Sequence, residues 1–266
     1  MISLVQILNE AIGKPKAIIL AGAPGAGKGY ILRGLDLSGL KILNLDNRYM
    51  SLLKKANVSL DLKNATPEER SKGAKAMAQA NKEFKGDIEN TIKGKESFIL
   101  DGTSASFNNT VKLKDELEEA GYKVFMLYVY TDLERSLSQN QNRYEKSKGE
   151  DRSLAPAIVM STWKSVTNNL PKYASLFGNN FVAVANTLEG TKITDINKII
   201  KKYLDPFKPQ GTLPKSPSQQ KRSDERKAKD KKEIQAMLDD NFIYDVIKYT
   251  MSKEEAQIKI EQFLRS

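Results

Sequence analysis

The sequence predicts an α/β protein, a three-layer α/β/α sandwich with about five mainly parallel strands. Short apolar runs alternate with helix-compatible segments from residue 17 to residue 204, and this alternation favours right-handed parallel βαβ units. The first apolar run also leads straight into a glycine-rich turn, as expected for a strand-to-helix connection. The predicted strands are 17–20, 41–45, 97–100, 123–130 and 181–185.

Helix signals fill the intervals between these strands. Thr66, followed by Pro67 and two glutamates, is an N-terminal capping pattern, and the helix that it opens can run towards residue 93. Gly121 closes the next helix, and Pro171 is expected to end the helix that starts near residue 155. Further helices are predicted over 3–12, 132–143 and 193–204.

The glycine-rich turn has the spacing G-x-x-x-x-G-K, which is the phosphate-binding loop of the P-loop NTPase fold. Its glycines let successive backbone N–H groups point at phosphate oxygens, and Lys28 adds a positive charge for the β- and γ-phosphates. The alternative is a glycine-rich turn that binds nothing. The nucleotide-binding residues expected from the motif are Gly22, Ala23, Pro24, Gly25, Ala26, Gly27, Lys28, Gly29 and Tyr30.

Gly29 stands where the motif usually has Ser or Thr, whose hydroxyl binds Mg²⁺. We therefore expect Mg²⁺ to depend on carboxylates, water and ATP itself. Asp101 ends the third strand and is the candidate metal ligand, directly or through water, although many strands end in ordinary Asp-Gly turns. Asp46 ends the second strand and is the candidate base for an acceptor hydroxyl, with a helix cap as the alternative.

Arg143 and Arg152 flank a polar run without core residues. One interpretation is a solvated, charged loop. We favour a lid, because two planar and permanently charged guanidinium groups could close over a transferred phosphoryl group and exclude water.

The 266 residues include no cysteine and no histidine. This composition excludes disulfides, metal sites built on Cys or His, and histidine acid–base catalysis, so chemistry must rest on Asp, Glu, Lys and Arg. The net charge of +10 favours a polyanionic partner: a nucleotide, a nucleic acid or an anionic surface. Because the chain has neither a membrane-spanning apolar run nor a signal-peptide pattern, we expect a cytoplasmic protein that does not span a membrane.

The composition changes after residue 205. We expect a P-loop domain over 1–205, a Pro-rich and then basic linker over 206–232, and a small helical hairpin over 233–266. Residues 215–232 hold eight Lys or Arg against three Asp or Glu, in a flexible arm or an exposed helix. This segment is either a solubilising tether or a nucleic-acid contact. The hairpin is too small to be stable alone, so it should pack on the main domain or on a protein partner.

Residues 16–186 resemble the zeta-toxin-like P-loop kinases, which are close relatives of the 5′-hydroxyl polynucleotide kinases. The resemblance rests on the phosphate loop with Lys28, the strand-end pair Asp46-Asn47, and the sequence Asp101-Gly102-Thr103. It also rests on the arginine pair and on the stretches GYKVFMLYVYTDLERSL and NNLPKYASLF.

The resemblance implies ATP-dependent phosphorylation of a hydroxyl group. Asp46 would be the base, Asp101 a metal-associated or substrate-orienting acid, and Arg143 and Arg152 the charge stabilisers. The acceptor would be a UDP-sugar or nucleotide, or the 5′-hydroxyl end of a nucleic acid. A second hypothesis is a nucleotide-gated nucleic-acid-binding or assembly protein whose kinase chemistry has decayed; Gly29 and the basic C-terminal segment are the reasons for it.

Overall fold

The computed structural model describes residues 13–35, 37, 40–62, 64–187, 193–206 and 216–266. The helix predicted over 3–12 lies outside the described residues, as do the prolines and the glycine between residues 207 and 215.

The described residues form a parallel sheet of six strands in the order β2-β3-β1-β4-β5-β6. Residues of β1 are all buried, as expected for a strand covered on both faces of a parallel sheet. The register places Asn44 and Leu20 on either side of Asp101, so the carboxyl ends of β2, β3 and β1 lie side by side. The strands are β1 Lys16–Ala21, β2 Lys41–Asn44, β3 Phe98–Asp101, β4 Lys123–Tyr130, β5 Phe181–Ala185 and β6 Thr250–Met251.

Helices cover both faces of the sheet. The predicted capping pattern is present, because Thr66 and Glu69 form a reciprocal capping box at the start of the helix Pro67–Lys93. The helices are α1 Lys28–Arg33, α2 Leu45–Lys55, α3 Pro67–Lys93, α4 Phe107–Glu119, α5 Leu133–Lys146, α6 Pro156–Phe177, α7 Ile196–Ile199, α8 Pro217–Met237, α9 Asp240–Ile247 and α10 Lys253–Arg265. A π-helical turn, Ile200–Leu204, continues α7. The arrangement confirms the predicted three-layer P-loop fold.

The prediction that Pro171 ends its helix was wrong. Helix α6 continues through Pro171 to Phe177, and Leu170, Tyr173 and Phe177 are buried around the proline. Burial of these three side chains in the core outweighs the loss of one backbone hydrogen bond at the proline.

The C-terminal segment is part of the sandwich, and it differs from the predicted helical hairpin. Strand β6 pairs in parallel with β5, and it adds one strand to the five that the sequence predicted. Helix α9 packs on one face of the sheet through Val246, whereas α10 packs on the other face through Ala256, Ile260 and Phe263. Docking on the main domain, one of the two expected outcomes, is therefore observed. The domain boundaries at 205 and 232 stay a prediction.

The basic segment forms the exposed helix that was one of its two predicted conformations. Most of α8 is exposed, and its last turns contact the body through the buried residues Ile234 and Met237. Lys164 of α6 forms ion pairs with Asp230 and Glu233 of α8, at 2.5 and 2.6 Å. In the part of the chain that the structure describes, no helix is long and apolar enough to cross a membrane.

Candidate active site

The turn between β1 and α1 has the backbone geometry of an anion-binding loop. Gly22 has φ 148° and Gly27, the residue before α1, has φ 82°, a left-handed conformation that favours glycine. A Cβ atom on Gly22 would lie 2.7 Å from the carbonyl oxygen of Val129, so the loop also packs too closely against β4 for a side chain there. Gly22, Ala26 and Tyr30 donate their N–H groups within the protein, and the remaining N–H groups of the turn and of the start of α1 are available for a negatively charged ligand.

Lys28, the first residue of α1, reaches back over this loop. Its Nζ atom donates a hydrogen bond to the carbonyl oxygen of Gly22 at 3.1 Å. Burial lowers the pKa of Lys28 below its usual value, while the carboxylates of Asp101 and Asp46 oppose that shift. The ammonium group is therefore partly desolvated beside the loop, where a phosphate would complete its coordination.

Two carboxylates approach the loop from the adjacent strand ends. Asp101 is the last residue of β3, and Asp46 lies in the first turn of α2, directly after β2. Asn44 donates from Nδ2 to Oδ2 of Asp101 at 2.6 Å, and its own Oδ1 caps α2 by accepting from the backbone N–H of Asn47. Burial raises the pKa of Asp101, because the charged carboxylate is poorly solvated at this position.

The two predicted arginines face the same space. Arg152 pairs through Nη2 with Oδ2 of Asp46 at 2.6 Å, and its guanidinium carbon lies 6.0 Å from the ring centroid of Tyr49. The side chain of Arg152 is 12% exposed and that of Asp46 is 39% exposed, so solvent reaches this ion pair from the carboxylate side. Arg143, at the end of α5, pairs with Asp151 in the segment that leads to Arg152. The ion pair holds this segment over the site.

These groups line one cavity of about 960 Å³. The cavity is large enough for a nucleotide together with a second small molecule. Gly22 and Ala23 do not line it: Gly22 donates its N–H to the carbonyl oxygen of Thr103, and Ala23 is 3% exposed and packs in a core cluster with Trp163. The predicted residues that do line the cavity are Pro24, Gly25, Ala26, Gly27, Lys28, Gly29, Tyr30, Asp46, Asp101, Arg143 and Arg152.

Sequence reasoning missed several polar residues of the cavity wall. Arg135 of α5 donates from Nη1 to the carbonyl oxygen of Thr187 at 3.2 Å, and Asn186 donates from Nδ2 to the carbonyl oxygen of Ala26 at 2.7 Å. A local signal existed for Asn186, because it follows β5 at the ligand-binding edge of the sheet. No local signal identifies Arg135, whose backbone partner lies 52 residues along the chain. The other missed residues that line the cavity include Asn44, Thr103, Gln139 and Lys146.

The residues that could hold a metal are the two carboxylates, Asp101 and Asp46. Among the described residues, no group of three or more Asp or Glu side chains is close enough to hold a metal ion alone. A site with one or two carboxylates suits Mg²⁺, which commonly takes its remaining ligands from water and substrate phosphates.

A protein-family model, Zeta toxin, matches residues 4–199 of the chain. Similar solved structures include the AvrRxo1-ORF1:AvrRxo1-ORF2 complex with sulphate ions, with a TM-score of 0.52 and 18% identity over 94% of this chain and 81% of that chain. The same complex with ATP has a TM-score of 0.49 and 17% identity over 92% and 79% of the two chains.

A structure from the PezAT chromosomal toxin–antitoxin system of Streptococcus pneumoniae has a TM-score of 0.49 and 17% identity, over 85% of this chain and 88% of that chain. No curated protein matches the chain in sequence. For the complex with sulphate ions, an identity of 18% shows a shared fold alone.

Proposed function

Because the chain belongs to the Zeta toxin family, we propose that it is a kinase that transfers the γ-phosphoryl group of ATP to a hydroxyl group. One observation carries the proposal: Lys28 on the phosphate loop, Asp46 and Asp101 at adjacent strand ends, and Arg152 from the lid segment all line one cavity. Phosphoryl transfer requires mainly positioning and charge stabilisation, and this set of groups supplies both.

The phosphates of ATP would bind the loop N–H groups and Lys28. Arg135 would contact the nucleobase of ATP, because its planar guanidinium lines the cavity beside Thr187. Asp101, with Asp46 nearby, would hold Mg²⁺ directly or through water. When bound, Mg²⁺ would neutralise charge on the β- and γ-phosphate oxygens.

In the transfer step, the acceptor oxygen forms a bond to the γ-phosphorus as the bond between that phosphorus and the β–γ bridging oxygen breaks. ADP leaves, and the proton of the acceptor hydroxyl passes to Asp46. Arg143 and Arg152 stabilise the charge that spreads over the transferred phosphoryl oxygens. The ion pair between Arg152 and Asp46 keeps these two groups next to each other before the acceptor binds.

Two acceptor classes fit the proposal. A UDP-sugar or nucleotide would fill the remainder of the cavity, and its own phosphate could pair with the cations that line it. The 5′-hydroxyl end of a nucleic acid is favoured by the exposed basic residues of α8, which include Lys221, Arg222, Arg226 and Lys227.

The experiment incubates the protein with γ-labelled ATP and Mg²⁺ and with UDP-sugars, nucleosides and nucleotides, or 5′-hydroxyl oligonucleotides in turn. We expect label on one acceptor class and none with Lys28→Ala. Lys112→Ala, an exposed lysine of α4, is the matched control. Label on no acceptor, with nucleotide binding intact, would contradict the kinase and favour the second candidate, a nucleotide-gated nucleic-acid-binding or assembly protein. Gly29, which lacks a metal-binding hydroxyl, is the observation that favours that candidate.

A further inference from the structure

We propose that the C-terminal segment completes the nucleotide site, with Lys253, held over the ring of Tyr30, as a contact for the phosphates of a bound nucleoside di- or triphosphate. The inference rests on the proposed function, because it assumes that the phosphate loop binds a nucleotide. It concerns a part of the chain that lies beyond residues 4–199, which the family model matches.

Tyr30 lies at the end of α1 where phosphates would bind. It is in the first turn of the helix, and its backbone N–H donates to the carbonyl oxygen of Gly27 at 2.9 Å. Side chains on a helix lean towards the N-terminus, so the ring extends towards the loop and not away from it. Tyr30 lines the cavity, and it is 57% exposed, so core packing does not account for its position.

Lys253 is brought to this ring by the sheet. Met251 of β6 is in register with Val184 of β5, so the residues two positions further along each strand emerge at the same edge. Past the end of β5 that residue is Asn186, which contacts the phosphate loop through Ala26. Past the end of β6 it is Lys253, which does not itself line the cavity but whose Nζ atom lies 4.2 Å from the ring centroid of Tyr30, which does.

The backbone at Lys253 is fixed by a helix cap and by core packing. It is the first residue of α10, where Ser252 and Glu255 form a reciprocal capping box. The helix is anchored by Phe263, whose ring centroid lies 4.9 Å from that of Phe125 in β4. A lysine on such a helix loses less conformational freedom on binding an anion than one on an unanchored segment.

The chemistry of Lys253 suits an anionic ligand. Within the described ranges, Lys253 forms no ion pair with a carboxylate, and its contact with Tyr30 is a cation–π interaction. Glu255, the acid of the capping box beside Lys253, accepts a hydrogen bond from the backbone N–H of Ser252 at 3.0 Å. Among the described residues no carboxylate therefore competes with a phosphate for this ammonium group, at a loop where Gly29 supplies no hydroxyl.

The test measures ADP binding to the full chain by titration calorimetry at several salt concentrations. Lys253→Ala should raise the Kd for ADP by roughly three- to tenfold and make the salt dependence of binding shallower. Lys253→Gln, which keeps most of the length of the side chain and leaves the capping box intact, should have the same effect. Lys259→Ala, at an exposed position of the same helix, is the matched control and should bind as the unmodified protein does.

Tyr30→Leu tests whether the ring positions the lysine. Its loss of affinity should be less than additive with that of Lys253→Ala, because the two side chains act together. An unchanged Kd and salt dependence in both Lys253 variants, while Lys28→Ala loses ADP binding, would overturn this inference and leave the proposed function standing. Label on no acceptor, with ADP binding intact in the unmodified protein, would overturn the proposed function instead.

Discussion

Asp46 pairs with Arg152 and lines the same cavity as the phosphate loop, and we propose it as the base for the acceptor hydroxyl. We expect Asp46→Asn to lower turnover by roughly 10²-fold or more, because an amide cannot accept the proton. Binding of ADP should persist, since Lys28 and the loop are unchanged. Turnover and calorimetric binding measure the two effects separately, and Asp115→Asn, an exposed carboxylate of α4, is the control. Unchanged turnover would remove Asp46 from the mechanism.

Asp101, the proposed metal-associated acid, is expected to destabilise the fold at neutral pH. Burial raises its pKa, so between the unfolded and folded pKa values the folded protein binds more protons than the unfolded chain. The free energy of unfolding contributed by Asp101 therefore falls as the pH rises through that interval, and the charged carboxylate destabilises the fold at neutral pH.

Asp101→Asn should consequently raise the melting temperature at pH 7, by roughly 2–4 °C, while it lowers the transfer rate. The new amide oxygen can still accept from Nδ2 of Asn44, so the hydrogen bond is preserved. The gain should disappear below about pH 4, where Asp is protonated in both states. Thermal melts of Asp101→Asn and of the unmodified protein at pH 7 and below pH 4 measure this difference. A lower melting temperature for Asp101→Asn than for the unmodified protein at pH 7 would contradict this account.

At the scale of single residues, the sequence could predict those that belong to a motif or follow a strand. Lys28, Asp46 and Asp101 were found in that way, and all three line the cavity. Asn44 and Arg135 were not found, because their partners, Asp101 and Thr187, lie 57 and 52 residues away along the chain. Only the folded sheet brings such pairs together.

At the scale of elements, the segment between α5 and α6 is the proposed lid, and it brings Arg152 to Asp46, the proposed base. Arg152 pairs with Asp46 and lies over Tyr49, and both contacts depend on the planar guanidinium group. We expect Arg152→Ala to lower turnover by roughly 10³-fold, the scale of an arginine that stabilises a transferred phosphoryl group. Arg152→Lys should recover only part of the activity, because an ammonium keeps the charge but not the fork.

Steady-state kinetics with the acceptor identified by γ-labelled ATP would measure these rates. Arg265→Ala, an 81% exposed arginine side chain on α10, is the matched control and should leave turnover unchanged. If Arg152→Ala retained full turnover, the segment would be a solvated loop and not a lid.

The elements that the sequence could not predict are those whose local signals are weak or overruled. Strand β6 has two residues, too few for an alternating or apolar pattern to be recognised. Pro171 is a strong local signal for a helix end, yet burial of the neighbouring side chains in the core overrides it. A local pattern indicates the conformation that an isolated segment favours. Tertiary packing selects among conformations of similar free energy.

For the whole molecule, the order of strands and helices in the family-matched region was predictable, because each predicted strand is followed by a clear turn or helix signal. The place of the C-terminal segment was not. Its apolar residues indicate that α9 and α10 must each bury one face, but they do not indicate on which surface each helix packs. The two helices bury those faces on opposite sides of the sheet and not against each other.

This packing makes the C-terminal helix a structural element of the main domain, and a single substitution can test it. Phe263 is 6% exposed and contacts Phe125, whereas Ile258 on the same helix is 56% exposed. We expect Phe263→Ala to lower the free energy of unfolding by about 3–5 kcal/mol and Ile258→Ala by less than about 0.5 kcal/mol, measured by urea denaturation. Equal, small effects would mean that α10 is an appendage outside the core. In that case, deletion of residues 214–266 would isolate the role of the basic helix. With α10 in the core, the same deletion would expose Phe125 and unfold part of the sandwich. Nucleic-acid binding is therefore better tested by neutralising Lys221 and Arg222 on α8.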